Sequence, residues 1–270
     1  MLDDVAILAR TAGREIYRIW KEGFSVNTKR DGSIVTIADQ HAEAIILAGL
    51  VHIAPDVPVI AEEQVAAGRI PRVGSRFFLV DPLDGTKGFA EGGKDEFTVN
   101  IGLIEDGRPV LGVVYAPASG ALWAGGPAGA WATHCDPQSG EERKQRTPLS
   151  VSSRTEGWRL IGSSTFSGPR LKAFAAATGA ASTVTASSSL KFCRVASGEA
   201  DIYPRFGPLS EWDVAAGHAV LVAAGGDVMT LSGEPIPYGR RPGQFELDGL
   251  VAFGNAAAET AARAALGAAV

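Results

Sequence analysis

The chain has 270 residues, 46% of them apolar, and a formal net charge of -5. That charge argues against a surface that wraps nucleic acid, which needs a basic face. No apolar run approaches the roughly 20 residues of a membrane-spanning helix, and the length suits one large domain or two moderate ones with a real core.

The opening MLDDVAILARTAGREIYRIW carries acids where a signal peptide carries bases. It reads as an amphipathic helix over 2–20, with Val5, Leu8, Ala9, Ala12, Ile16 and Ile19 on one stripe, and the expected location is cytoplasmic. A turn-rich TKRDGS (28–33) precedes a second helix in TIADQHAEAIILAGL, with Thr36 as its N-cap. VPVIAEE (57–63) and RFFLVD (76–81) read as short apolar strands, each ending in acid. FTVNIGLIEDGRPVLGVVYAP reads as a hairpin turning at Asp106-Gly107, and GALWAGG and GAWATHC continue the strand-and-turn pattern. The polar DPQSGEERKQRTP (136–148) is the expected exposed connection between an N-terminal lobe, 1–135, and a C-terminal lobe, 149–270. Beyond it, strands near 149–152, 158–162 and 200–203 alternate with helices near 168–178, 188–197 and 210–224. A strand at 250–253 and a helix at 255–267 follow. The mixture predicts layered α and β structure in two lobes.

Acids collect at the ends of these strands and the starts of these helices: Asp39, Glu62, Glu63, Asp81, Asp84 and Asp213. Each has a plain alternative. Thr36-x-x-Asp39 and Ser210-x-x-Asp213 resemble capping boxes, Asp84-Gly85 resembles a turn, and Glu62-Glu63 suits a solvated strand end. Converging on one crevice, the same acids would suit a hard cation such as Mg²⁺, which takes carboxylate and carbonyl oxygens. Pro82 holds Asp81 extended and Gly85 permits close backbone approach to a ligand. A helix starting near Thr86 would turn its free amides toward the same crevice, where they favour phosphate.

Other chemistries find less support. Cys135 and Cys193 lack metal-type spacing and are expected as buried thiols. His41, His52, His134 and His218 form no pair with zinc-like spacing. There is no G-x-S-x-G and no P-loop, and GGPAGA reads as a turn.

AEE (61–63), DPLDGT (81–86) and WD (212–213), with DGSIVTIAD (31–39) upstream, resemble the signatures of the inositol monophosphatase-like phosphatase superfamily across almost the whole chain. Within it, DPLDGTKGF and SSSLKFCRVASGEADIYPRFGPLSEWDVAAGHAV look like the CysQ-type 3'(2'),5'-bisphosphate nucleotidases. Lys87 supports that branch. Gly88 stands where many bacterial members carry Glu, and GSSTF (162–166) stands where many carry a Ser-Arg-Ser-His run, which touches the nucleotide side of the site.

The resemblance implies an α/β fold of the αβαβα sandwich type. It implies Mg²⁺-dependent hydrolysis of the 3'-phosphate of adenosine 3',5'-bisphosphate to AMP and phosphate, by metal-activated water without a covalent intermediate. The 3'-phosphorylated sulfate donor would be a second substrate, and the setting sulfate assimilation. Glu62, Asp81 and the Leu83 carbonyl would hold one ion, and Asp81, Asp84 and Asp213 a second, with Glu62 able to take a third. Thr86, hydrogen-bonded to Asp39 and supported by Glu63, would orient the water, and the Gly85 and Thr86 amides would take phosphate oxygens. Lys191 and Arg205 are candidates for the substrate's other charges. The same metal chemistry would serve inositol 1-phosphate or fructose 1,6-bisphosphate, and a non-catalytic nucleotide sensor is the reading from another class. The expected partner is a small phosphorylated nucleotide, with very short oligonucleotides the limit of any nucleic-acid role. A monomer and a homodimer, and free or peripherally membrane-attached states, are all compatible with the sequence.

Overall fold

The computed structural model describes residues 1–28, 34–91, 95–163, 168–240 and 243–268. Most of the expected 28–33 turn, the start of the DGSIVTIAD element and residues 164–166 of GSSTF lie outside them.

The first helix, α1 (Leu2–Glu22), buries the stripe read from the sequence and stops at Gly23. A short antiparallel pair, β1 (Val26–Thr28) and β2 (Ile34–Thr36), leads into α2 (Ile37–Ile53). Thr36 caps α2, with Asp39 answering at the third helical position. Next come β3 (Val59–Ala61), α3 (Glu62–Ala66), β4 (Arg76–Asp84) and α4 (Thr86–Glu91). The acids Glu62 and Glu63 therefore open a short helix instead of ending a strand, and their negative charge suits a helix start.

The meander β5 (Thr98–Glu105), β6 (Arg108–Ala116), β7 (Ala121–Gly126), β8 (Gly129–His134) and β9 (Thr147–Pro148) completes a seven-stranded sheet in sequence order from β3. Only the β3–β4 pair is parallel among its ladders. The β5–β6 turn falls at Asp106-Gly107, where both residues have positive φ, as a two-residue hairpin of this type requires. The polar 136–148 stretch folds back along α1: the Arg10 and Arg14 side chains donate to the carbonyls of Gly140 and Gln138. The strand expected near 149–152 is absent; the short β9 just before it pairs with β8 instead.

The rest of the chain supplies β10 (Arg159–Gly162), α5 (Pro169–Thr178), β11 (Ser182–Thr185), α6 (Leu190–Ala196), β12 (Ile202–Arg205), β13 (Leu209–Ser210) and α7 (Glu211–Ala223). It ends with β14 (Asp227–Thr230), β15 (Glu246–Leu247), β16 (Leu250–Phe253) and α8 (Ala256–Ala268). A second, five-stranded sheet runs β11-β10-β12-β16-β14.

Three apolar clusters show the layering. One packs α1 and α2 on the outer face of the large sheet, with Ile16, Ile46, Phe78, Val80 and Tyr115. A second fills the space between the two sheets around α6 and α7, with Phe192, Tyr203, Trp212, Val220 and Leu250. A third packs α5 and α8 on the far face of the small sheet, with Phe174, Ile202 and Ala262. The order is helix, sheet, helix, sheet, helix, as the resemblance implied.

A row of glycines seats α7. Gly102, Gly112 and Gly125 are cross-strand neighbours on β5, β6 and β7. A Cβ on them would come within 2.8, 2.2 and 2.6 Å of α7 atoms at Ala215, Ala216 and Val220. Without side chains there, the helix lies directly on the sheet, which fixes where its first turn, bearing Asp213, arrives.

Candidate active site

The carboxylates are delivered by separate elements. Asp81 and Asp84 flank a register break near the end of β4. Pro82 sits inside that break, where its missing N–H leaves no ladder bond unmade. The Leu83 N–H donates to Asp81 Oδ1 at 2.9 Å, which pins the carboxylate. Gly85 follows with φ 92°, and a Cβ there would lie 2.4 Å from the Ser188 hydroxyl, so only glycine fits. From the other side of the crevice, α7 brings Asp213, whose Oδ2 accepts the Ser210 N–H at 2.8 Å. Glu62 comes from the start of α3.

Their charges act on one another. Burial first, then the charges of Glu62, Asp84 and Asp213, hold Asp81 well above the usual carboxylate range. Asp213 is pushed up to about 7 by burial and by Asp84. Asp84 is raised by burial, with the Lys191 ammonium pulling the other way. The fold thus brings Glu62, Asp81, Asp84 and Asp213 within electrostatic reach of each other, across some 150 residues of chain. Among the described residues, no three His, Cys, Asp or Glu side chains stand at the spacing of a finished metal centre. The donor set nevertheless fits a hard divalent cation: oxygens only, on a buried Asp81 and half-buried Glu62, Asp84 and Asp213, mutually repelling, with one partly offsetting cation.

Asp39 is buried in the first turn of α2. Its Oδ2 accepts from the Thr36 N–H and hydroxyl, each at 2.7 Å. Its Oδ1 lies 3.0 Å from the Thr86 hydroxyl, which also lies 2.8 Å from the Leu83 carbonyl. The single hydroxyl hydrogen serves one of those acceptors at a time. Burial raises Asp39, opposed by its Thr36 and Thr86 hydrogen bonds. Glu63 stands one residue past Glu62, and its N–H donates to Glu43 Oε2 at 2.8 Å.

Beside Asp84 and Asp213 opens a cavity of about 470 Å³, lined also by Lys87, Ser188, Lys191 and Arg205. A second of about 310 Å³ adjoins it, sharing Lys191, Tyr203 and Arg205. Lys191 is only 6% exposed, its Nζ donating to the Ser188 carbonyl at 2.8 Å. Burial lowers its pKa to about 8 against the pull of Asp84. Arg205 donates to the carbonyls of Gly207 and Pro208. Lys87 is solvated, 4.0 Å from Glu91.

Sequence reasoning missed Ser188 and Ser189. Ser188 has φ 52°, rare for a non-glycine residue, and its hydroxyl lies 3.1 Å from the Asp84 carbonyl and 2.8 Å from the Glu96 carbonyl, donating to one at a time. The Ser189 hydroxyl lies 2.9 Å from the Asp213 carbonyl and 3.3 Å from Asp84 Oδ2. This serine pair links the acid at the end of β4 to the one at the start of α7. A triple serine before a helix was the available signal, and it reads equally as a cap.

The layered fold and a crevice of clustered acids beside a cationic cavity define a metal-dependent phosphatase architecture. Residues 2–267 match the Inositol monophosphatase family, and the chain belongs to it. The Escherichia coli (strain K12) "3'(2'),5'-bisphosphate nucleotidase CysQ" is 42% identical over 241 residues, covering 88% of this chain and 94% of that protein. The crystal structure of CysQ from Bacteroides thetaiotaomicron, described as a bacterial member of the inositol monophosphatase family, superposes with TM-score 0.75 at 29% identity, covering 93% of this chain and 97% of the other. The structure of inositol monophosphatase from Anabaena shares the fold, with TM-score 0.73 at 24% identity over 99% and 95% of the two chains.

Proposed function

We propose that this enzyme removes the 3'-phosphate of adenosine 3',5'-bisphosphate, giving AMP and phosphate, with the 3'-phosphorylated sulfate donor as a second substrate. The observation that carries the reading is the meeting of the acids of β4 and α7 with the buried Lys191 and with Arg205 around one cavity. A second phosphate on the substrate gives those cations a partner that an inositol monophosphate lacks. The kinship with bisphosphate nucleotidases at 42% identity supports the same choice.

Glu62, Asp81, the Leu83 carbonyl, Asp84 and Asp213 would hold Mg²⁺, as two ions with a third on Glu62. When bound, Mg²⁺ neutralises charge on the phosphoryl oxygens and acidifies water. Asp39 holds the Thr86 hydroxyl; when that hydroxyl donates to Asp39, its oxygen can accept from a water and orient it, with Glu63 in support. The Gly85 and Thr86 amides would receive phosphoryl oxygens. Lys191 and Arg205 would receive the 5'-phosphate. Water adds to phosphorus, the bond from phosphorus to O3' breaks, and a proton passes to O3'.

A phosphate-release screen with Mg²⁺ tests this, using adenosine 3',5'-bisphosphate, inositol 1-phosphate and fructose 1,6-bisphosphate side by side. The bisphosphate nucleotide should give the highest kcat/KM. A preference for either of the others would overturn the substrate assignment while keeping the chemistry.

A further inference from the structure

Two polar side chains stand behind the acids of β4 with no hydrogen-bond partner among the described residues. Asn100 and Thr98 are both fully buried. Among the described residues, neither amide atom of Asn100 nor the Thr98 hydroxyl has a hydrogen-bond partner. Buried polar atoms are bonded in the great majority of cases, and each exception calls for a reason.

Their place on the sheet supplies one. In the β4–β5 ladder Asn100 is opposite Asp81, and Thr98 is opposite Asp84. Directly opposed residues project to the same face, with Cβ atoms roughly 5 Å apart. That face is the one toward α7: Gly102, two residues along from Asn100, abuts Ala215 and Ala216. Asn100 and Thr98 thus share the face of the two β4 acids and look toward the helix that carries Asp213. An apolar pair would be the ordinary filling there, as Leu79 and Val214 are nearby.

We infer that Asn100 and Thr98 are positioning residues for the metal ligands: in the Mg²⁺-loaded enzyme the Asn100 amide holds Asp81 and the Thr98 hydroxyl holds Asp84 in ligating orientation. Asn100 suits this because its NH₂ donates to a carboxylate oxygen without adding charge. A carboxylate that spends one lone pair on such a donor still has others for a cation. Residues that hold a metal's ligands typically change its affinity about 10–100-fold when removed. The inference rests on the proposed metal site and concerns its inner wall.

The test measures Mg²⁺ binding by calorimetry and by the Mg²⁺-induced rise in Tm, for wild type, Asn100→Leu and Thr98→Val. Asn100→Leu should fold at least as stably without metal, because it removes two unbonded polar atoms. Its Mg²⁺ dissociation constant should rise about 10–100-fold. Thr98→Val exchanges a hydroxyl for a methyl and carries the same criterion should Asn100→Leu not fold. Mg²⁺ affinity within twofold of wild type in the folded variants would overturn the inference. Absence of Mg²⁺ binding by wild type would instead overturn the metal site on which it rests.

Discussion

Asp213→Asn separates what the site does for catalysis from what it does to the fold. The Asp213 carboxyl is pushed from its ordinary 3.8 up to about 7, by burial and then by Asp84. The folded state therefore binds this proton more tightly than the unfolded chain does. Its sign follows: below about pH 4 both states are protonated and Asp213 is neutral to stability. As pH rises from about 4 to 7 the unfolded chain ionises first and stability falls; above 7 the full penalty stands. At about 1.4 kcal/mol per pH unit, some three pH units amount to about 4 kcal/mol. Asparagine does not titrate, and its carbonyl can still accept the Ser210 N–H that Asp213 Oδ2 accepts at 2.8 Å.

Metal-free Asp213→Asn should thus be more stable than wild type at pH 8, by up to about 4 kcal/mol. For a chain of this length that is a rise in Tm on the order of 10 °C at most. The difference should shrink steadily toward pH 4. Added Mg²⁺ should raise the Tm of wild type and narrow the gap, while the variant loses its metal-dependent activity. Denaturation in chelator across pH 4–8, repeated with Mg²⁺, measures all of this. A variant no more stable than wild type at pH 8, or a gap that ignores pH, would refute the claim that Asp213 is held charged against its surroundings.

Asp84→Asn should bring Mg²⁺-dependent phosphate release to background with an unchanged circular dichroism spectrum; full activity would remove Asp84 from the metal set. Lys191→Ala should raise KM for the bisphosphate nucleotide about 10–100-fold, since hydrogen bonds to charged groups contribute about 1.5–3 kcal/mol, and should affect a nucleoside 3'-monophosphate much less; steady-state kinetics on both substrates decide it. Thr86→Val, which removes the hydroxyl 3.0 Å from Asp39, should lower kcat by about 10²-fold or more with KM little changed. Gly112→Ala would place a Cβ 2.2 Å from the Ala216 carbonyl; lifting α7 from the sheet should lower stability by about 1–3 kcal/mol and weaken Mg²⁺ binding through Asp213, read by chemical denaturation and by thermal shift.

What could be read from the sequence was whatever local chemistry dictates. The α1 stripe, the Thr36–Asp39 cap and the Asp106-Gly107 turn each follow from a few neighbouring residues, and each appears in the structure. The register break between Asp81 and Asp84 was not legible: the strand read as ending at Asp81, whereas β4 runs through Pro82 to Asp84. Less legible were features that need a partner far along the chain. β11 and β14 are too short and too mixed in polarity to announce themselves, and exist because β10 and β16 supply the ladder. Glu62 and Glu63 looked like a strand end because nothing nearby marks the single turn of helix they begin. Ser188 carries its strain for the sake of carbonyls at Asp84 and Glu96, some 90–100 residues away.

That division also explains how the site tolerates its own repulsion. Buried like charges destabilise a fold, and they persist only where the scaffold over-determines their positions. Here the glycine row on β5–β7 sets α7 flush with the large sheet, and Ala215, Ala216 and Ala219 meet it with no side chain larger than a methyl. The Ser210 N–H then holds Asp213 from its own helix start, while the Ser189 hydroxyl stands within reach of both the Asp213 carbonyl and the Asp84 carboxylate and donates to one at a time. Relaxation by moving Asp213 away would require lifting the whole helix from its seat and opening the core between the two sheets. The acids therefore stay poised, and the free energy withheld from the metal-free fold is available as affinity for a cation. An enzyme arranged in this way should trade metal-free stability against Mg²⁺ affinity residue by residue, so that variants which relax the acids bind metal less.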